Sequence, residues 1–323
     1  MRSYDFTAPR TVHDAVTALQ SAGLIGAPVA GATDMSGLLK NKVITPESLV
    51  DLTAIDELGH INKTPDGGYL IGATARISEL VEHPDIARTH PLLHEAASTV
   101  ASPQIRNQGT VGGNLCQRPR CWYYRNPATP CLRRDSTYCS AAIGENQYHA
   151  ILGGAGCFIV HPSDLAVAFI ALDATAKIAG PGGSRTVPME KFFVLPKDDL
   201  HHENVLKPGE ILAEIQVPPP MAGARQVWFK HRIRQVWDFA ILSVALQLQM
   251  SGNRISDVRL VLGAVAPAPW RAHLSEQVLQ GNTLTPDLVE KAISAELSKA
   301  RPMTDNAYKI ELAGQLMRQA LLG

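Results

Sequence analysis

No part of this chain is apolar for long enough to cross a bilayer: 45% of its 323 residues are hydrophobic, yet no run reaches about 18 consecutive apolar positions. Charge of one sign is missing too. Thirty Lys and Arg stand against thirty Asp and Glu, so the basic field that nucleic-acid and membrane-surface binding draw on is not there. The segment Met1-Arg2-Ser3-Tyr4-Asp5-Phe6 has no apolar leader core, and no secretory signal is expected in it. Eleven histidines include no His-Glu-x-x-His pair, and no Gly-x-Ser-x-Gly elbow occurs, which argues against zinc and serine hydrolase chemistry. Cysteine is scarce, five residues in all, without a single Cys-x-x-Cys knuckle. Four of the five fall within 37 residues, a clustering that suits metal better than a disulfide framework.

The length exceeds what one hydrophobic core usually serves, so two or three domains are expected. Thr11 stands as N-cap before Val12, Val16 and Leu19 on one helical face. A short apolar run, Ala27–Ala30, then leads through Gly31-Ala32-Thr33-Asp34 into a helix over 35–42. With a strand at 48–52, this closes a βαβ-like module, residues 1–56. A second unit, 57–220, opens with a strand over 67–74 and carries helices at 77–81, 92–101 and 165–172. Pro218-Pro219-Pro220 is the linker, because three prolines continue neither helix nor sheet. In the third unit, 221–323, Leu242, Val244, Leu246, Leu248 and Met250 alternate with Ala245, Gln247 and Gln249. Ser251-Gly252-Asn253 turns that strand back into an antiparallel partner, and helices at 286–299 and 305–321 finish the chain.

Two glycine turns carry the first chemical signal. In Ala30-Gly31-Ala32-Thr33-Asp34-Met35-Ser36, a strand feeds a helix and leaves orphan amides for an anion. It is not Gly-x-Gly-x-x-Gly, which disfavours a Rossmann site. In Gly109-Thr110-Val111-Gly112-Gly113-Asn114, three glycines in five positions mark backbone with no room for Cβ, through tight packing or a ligand. Thr110 and Asn114 can donate to a phosphate. Two such turns about 80 residues apart suit the two ends of one dinucleotide; plain α/β connections are the alternative.

Cys121, Cys131, Cys139 and Cys157 follow at intervals of ten, eight and eighteen. Four thiolates from one loop can enclose a tetrahedral metal ion or an iron–sulfur cluster. The long unequal spacings suit a cubane better than a zinc finger, with structural zinc, disulfides or inert thiols as alternatives. Cys116, beside the glycine turn, is expected to be packing. Asp164 reads as a helix N-cap, and Lys230 as a solvated charge in Lys230-His231-Arg232-Ile233-Arg234.

Gln104-Ile105-Arg106-Asn107 followed by Thr110-Val111-Gly112-Gly113-Asn114 resembles a signature of the FAD-binding subunits of the xanthine oxidase family of molybdenum hydroxylases. Ala30-Gly31-Ala32-Thr33-Asp34 resembles their first flavin loop, which commonly has a second glycine where Ala32 stands. The resemblance spans the chain. It implies an α+β fold: a two-part vanillyl-alcohol-oxidase-like FAD-binding domain, then an antiparallel sheet plus helices like the C-terminal domain of carbon monoxide dehydrogenase flavoprotein. Most members lack the Cys-rich insertion, 117–160. It is similar to that of 4-hydroxybenzoyl-CoA reductase β subunits and of the FAD subunit of periplasmic aldehyde oxidoreductase. Arg120-Cys121-x-Tyr123-Tyr124, Pro130-Cys131, Cys139-Ser140-Ala141 and His161-Pro162-Ser163-Asp164 look nearer to the latter.

The resemblance implies FAD held by Pro28, Val29, Ala30, Gly31, Ala32, Thr33, Asp34, Met35 and Ser36 and by Thr110, Gly112, Gly113 and Asn114, with Asp164 and Lys230 as further flavin contacts. It implies a [4Fe–4S] cluster on Cys121, Cys131, Cys139 and Cys157. Val100 stands near the place where some relatives set an aromatic against the isoalloxazine. The expected function is that of an electron-transfer flavoprotein subunit of an aldehyde oxidoreductase. Its expected partners are a molybdenum-cofactor-binding large subunit, a [2Fe–2S] small subunit and an external electron acceptor. No side chain here is expected to act as acid, base or nucleophile. Export to the periplasm on a signal-bearing partner is implied, with the cytoplasm as the alternative. A 4-hydroxybenzoyl-CoA reductase-like subunit, a stand-alone flavin reductase with zinc on the cysteines and a nucleotide-binding scaffold are the competing readings.

Overall fold

The computed structural model describes residues 3–323. Met1 and Arg2, the first two residues of the segment expected to carry no secretory leader, lie outside the described residues. Among the described residues no helix is long and apolar enough to cross a membrane.

Three sheets organise the chain. In the first, Ser48–Asp51 lies between Asp5–Thr7 and Gly26–Val29, all parallel. Helix Val12–Ala22 covers it, begun as expected at Thr11, whose hydroxyl accepts the Asp14 amide at 3.1 Å. Its buried face, Ala15, Val16 and Leu19, packs with Val50, Ile55 and Leu58 and with Ala179, Ile211 and Ala213 of the next sheet. The first module is thus anchored through apolar contact to the second.

The second sheet is antiparallel throughout, in the order Ile61–Lys63, Tyr69–Gly72, Ile211–Val217, Thr175–Gly180, Gly183–Pro188. Helix Asp164–Ala171 is apolar on every side after its first residue, and all eight of its residues are buried. An all-round apolar helix belongs in a core. This one packs on helix Pro91–Ser98 and on the third sheet.

The third sheet runs Trp270–Arg271, Arg254–Gly263, Leu242–Ser251, Arg225–His231. Leu242, Val244, Leu246 and Leu248 pack under helices Pro286–Leu297 and Tyr308–Leu322, as the alternation predicts. The opposite face is covered too. Ala245 and Gln247 are buried as well, because the central core holding helix Asp164–Ala171 covers that face. Met250, expected on the apolar side, sits past a register shift at Gln249 and Met250 and is 37% exposed.

Lys309 is fully buried on the last helix. Its Nζ donates to the carbonyls of Tyr148 (2.9 Å), His149 (3.2 Å) and Ala264 (2.8 Å), and no carboxylate is among those acceptors. Burial pushes this amine down from 10.5 to about 7. Between those values the unfolded chain binds the extra proton, so stability rises with pH across the window. Comparing pH 7 with pH 9, we expect the parent to gain up to about 2 kcal/mol that Lys309→Met does not. Urea unfolding of both proteins measures it. Equal slopes would mean that the amine stays charged in the fold.

Candidate functional site

Two cavities flank the cysteine segment. The larger, of about 690 Å³, is walled by Pro28, Val29, Ala30, Gly31, Ala32, Thr33, Asp34 and Met35 on one side and by Thr110 and Gly113 on the other. Strand Gly26–Val29 delivers the first turn and helix Met35–Lys40 leaves it. The second turn is more regular than its glycines suggest. Val111–Leu115 is a short helix with Thr110 as its N-cap, the hydroxyl accepting Gly113 N–H at 3.1 Å. The two turns touch: a Cβ on Gly31 would lie 2.0 Å from the Gln108 carbonyl oxygen and 3.1 Å from Gly109 Cα.

Not every expected residue reaches that wall. Ser36 does not line it; its hydroxyl donates back to Ala32 O at 2.8 Å. Gly112 is buried against Ala73, where a Cβ would meet backbone oxygen at 2.9 Å, so close packing is what its missing side chain serves. Asn114 Oδ1 accepts the Ser163 hydroxyl at 2.6 Å and so ties the second turn to the smaller cavity. Ala32 holds a φ of 54°, in the left-handed region where glycine fits without strain.

Asp34 uses its carboxylate on the cysteine segment. Oδ2 accepts the Arg118 amide at 2.8 Å, and Oδ1 meets Arg120 Nη1 and Arg125 Nη2, each at 2.7 Å. Burial lowers the Arg120 guanidinium to about 10, with Asp34 opposing, so it remains charged at neutral pH. The cations on the larger cavity are Arg118 and Lys207, neither of them singled out by sequence reasoning. The run of arginines around Cys121 was the available signal.

The smaller cavity, of about 300 Å³, is lined by Cys121, His149, His161, Ser163, Asp164 and Phe239 among others. Ser163, not Asp164, is the N-cap: its hydroxyl accepts Ala166 N–H at 3.0 Å, and Asp164 begins the helix. Lys230 is not a solvated charge. Its Nζ lies 2.6 Å from Asp164 Oδ2, with the side chains 2% and 7% exposed, and it also donates to Thr99 O at 2.9 Å. Lys230 lines neither cavity and stands behind Asp164. Burial raises the Asp164 carboxyl, against the pull of Lys230 and then Arg232. Val100 lines neither cavity either and is buried in the central core.

His149 and His161 are uncharged at neutral pH. Burial pushes them down to about 4 and about 3. His149 Nδ1 and His161 Nε2 have no hydrogen-bond partner. Buried polar atoms normally find one. Orphaned ring nitrogens on two residues of one cavity fit a polar, planar guest such as a flavin ring. On the larger cavity the Gly31 and Thr110 turns and Lys207 fit the phosphates of a dinucleotide, while Arg118 is engaged by Glu203, and Asp34 and Glu210 also line the wall.

Among the described residues, all five cysteines are free, and no three His, Cys, Asp or Glu side chains converge on one ion-sized point. The thiols are still neighbours. Burial pushes Cys121 up to about 12, with Cys131 and Cys139 near enough to add to the rise. Burial also raises Cys157, and Cys139 adds to it while Arg133 opposes. His149 Nε2 lies 3.3 Å from Cys121 Sγ. Cys116 packs partly against the central core, as expected, and also lines the larger cavity; burial raises its thiol to about 12, which makes it inert.

Residues 2–220 match the family model described as the FAD binding domain in molybdopterin dehydrogenase, and 228–323 match the CO dehydrogenase flavoprotein C-terminal domain. The chain is 34% identical over 321 residues to the aldehyde oxidoreductase FAD-binding subunit PaoB of Escherichia coli K12, covering 98% of this chain and 97% of that one. It is 28% identical to the carbon monoxide dehydrogenase medium chain of Hydrogenophaga pseudoflava, covering 98% and 96%. Among solved structures, carbon monoxide dehydrogenase from Hydrogenophaga pseudoflava superposes with a TM-score of 0.79 at 28% identity over 99% of this chain and 96% of that one. Reconstituted CO dehydrogenase from Oligotropha carboxidovorans gives 0.78 at 25% identity over 99% and 97%. The α+β architecture, the paired turns lining the larger cavity and these matches together show that the chain belongs to the FAD-binding subunits of the xanthine oxidase family of molybdenum hydroxylases, and is thus an oxidoreductase subunit.

Proposed function

We propose that this chain is the FAD- and [4Fe–4S]-carrying electron-transfer subunit of a molybdenum-containing aldehyde oxidoreductase. The observation that carries this reading is the position of Cys121. It lines the smaller cavity beside Asp164 and His149 and belongs to the neighbourhood of Cys131, Cys139 and Cys157. Cys121 packs with Cys131 and lies near enough to Cys139 to feel its charge, as Cys157 does, and four Cys from one segment are what a cubane needs. The likeness to an aldehyde oxidoreductase FAD-binding subunit supports the substrate class.

The chemistry supplied by the bound groups is exchange between one-electron and two-electron transfer at the flavin and one-electron storage at the cluster. The chain's own residues bind and orient. Lys207 and the Gly31 and Thr110 turns would meet the phosphates in the larger cavity, where Arg118 is already engaged by Glu203. Neutral His149 and His161 offer hydrogen bonds in the smaller one without adding charge. Cys121, Cys131, Cys139 and Cys157 would hold the cluster, whose positive iron charge would oppose the rise that burial imposes on Cys121 and Cys157. In this reading a molybdenum-cofactor large subunit oxidises the aldehyde, a [2Fe–2S] small subunit relays electrons here, and an external acceptor removes them. The complex is exported to the periplasm on a signal-bearing partner.

Anaerobic purification from iron-replete cells, with iron, zinc and flavin assays, tests the proposal. We expect FAD and about four irons per chain, with the iron lost in Cys139→Ser. Flavin with zinc, or flavin with no metal, would remove the cluster from the reading and leave the flavin.

A further inference from the structure

Asp34 sits on the wall of the cavity assigned to FAD, although a carboxylate repels a diphosphate. Its geometry shows what it does instead. Arg118, Arg120 and Arg125 approach it from within eight residues of the sequence around Cys121, through one amide and two guanidinium groups. Arg125 is held in turn by the carbonyls of Pro119 (2.7 Å) and Arg118 (3.0 Å), so the ion pair fixes backbone as well as side chains. Below it, Leu38, Val43 and Ile44 of the first module pack with Tyr124, Cys121 and Cys131. A second carboxylate on the cavity wall, Glu203, meets Arg118 Nε at 2.9 Å and pairs with Arg133. The flavin loop and the cysteine segment are therefore one packed unit, joined across a charged clasp and an apolar cluster.

We propose that Asp34 is a positioning residue whose clasp on Arg120 and Arg125 couples FAD binding to the ordered arrangement of the cysteine segment. An ordered segment holds the Gly31 turn in its binding shape, and bound FAD holds the segment in return. Linkage makes the two effects equal in size. The inference rests on the assignment of FAD to the larger cavity, but not on whether the cysteines carry a cluster.

The test is FAD titration of the deflavinated full chain, purified with the subunits that accompany it, for the parent, Asp34→Asn and Arg125→Met. Arg125 lines neither cavity, so its loss acts through the clasp and the segment carbonyls it holds, not through contact with FAD. Both variants should bind FAD more weakly by a factor on the order of 5–150. In the parent, FAD should also protect residues 118–139 from proteolysis, and in the variants that protection should fade. Removing a charge that merely faces the phosphates predicts the opposite sign, tighter binding in Asp34→Asn. Tighter or unchanged binding there overturns the clasp, as does unchanged binding in Arg125→Met. Should Asp34→Asn not fold, Arg125→Met decides alone. A parent that binds no FAD sinks the cavity assignment instead.

Discussion

Gly31→Val should yield a chain that carries little or no flavin. The new Cβ would lie 2.0 Å from the Gln108 oxygen and 2.9 Å from its carbonyl carbon, both backbone atoms of the neighbouring turn. No rotamer relieves a clash between Cβ and backbone. Either the first turn moves away or the end of helix Pro103–Gln108 does. Overpacking of this kind costs typically about 1–3 kcal/mol where the structure can give. Here the cost falls on the junction that shapes the larger cavity, so FAD loss should exceed the loss of stability. Gly182→Ala is the control, since nothing lies within 4 Å of its added Cβ. Flavin absorbance per chain and thermal unfolding separate the two effects. A Gly31→Val protein with full flavin would mean that the turns do not need their contact to bind.

Lys230→Met should be the most destabilising single change near the smaller cavity. The pair with Asp164 is almost wholly shielded from water. Breaking a buried pair by deleting one partner costs about 3–5 kcal/mol, and the remaining carboxylate keeps only the weaker pull of Arg232. The pH dependence fixes the cause. In the parent, burial already raises the Asp164 carboxyl above 3.8, and without Lys230 it rises further. The folded variant then keeps a proton that the unfolded chain releases near 3.8, so its stability falls as pH climbs from there through the folded value. Urea unfolding should show a smaller deficit at pH 5 than at pH 8, and adding Asp164→Asn should recover most of it. A variant as stable as the parent at both pH values would show that the carboxylate is solvated after all.

Much of the local architecture is legible in residue order alone. Thr11 ahead of Val12–Ala22 and Thr285 ahead of Pro286–Leu297 cap their helices as their residue types require. The hairpin of Leu242–Ser251 and Arg254–Gly263 follows from alternation and a Ser-Gly-Asn turn. Of the two glycine turns, only the second is legible as backbone without room for Cβ, and the close contact differs between them. Gly31 meets another turn, whereas Gly112 meets Ala73.

Charge partners were illegible. Asp34 finds the Arg118 backbone amide and the Arg125 guanidinium at separations of 84 and 91 residues, Asp164 finds Lys230 at 66, and Lys309 reaches the His149 carbonyl at 160. Each side chain, taken in its own stretch, reads as a cap, a loop anion or a surface cation. Periodicity and capping depend on neighbours within one or two turns of chain, so residue order alone determined the helices, the hairpin and the crowded glycines. Which ionic groups meet, how deeply they are buried and hence which way their protons shift depend on segments brought together from across the chain. Only the packed tertiary structure decides that, because burial and electrostatic pairing are properties of space and not of sequence distance.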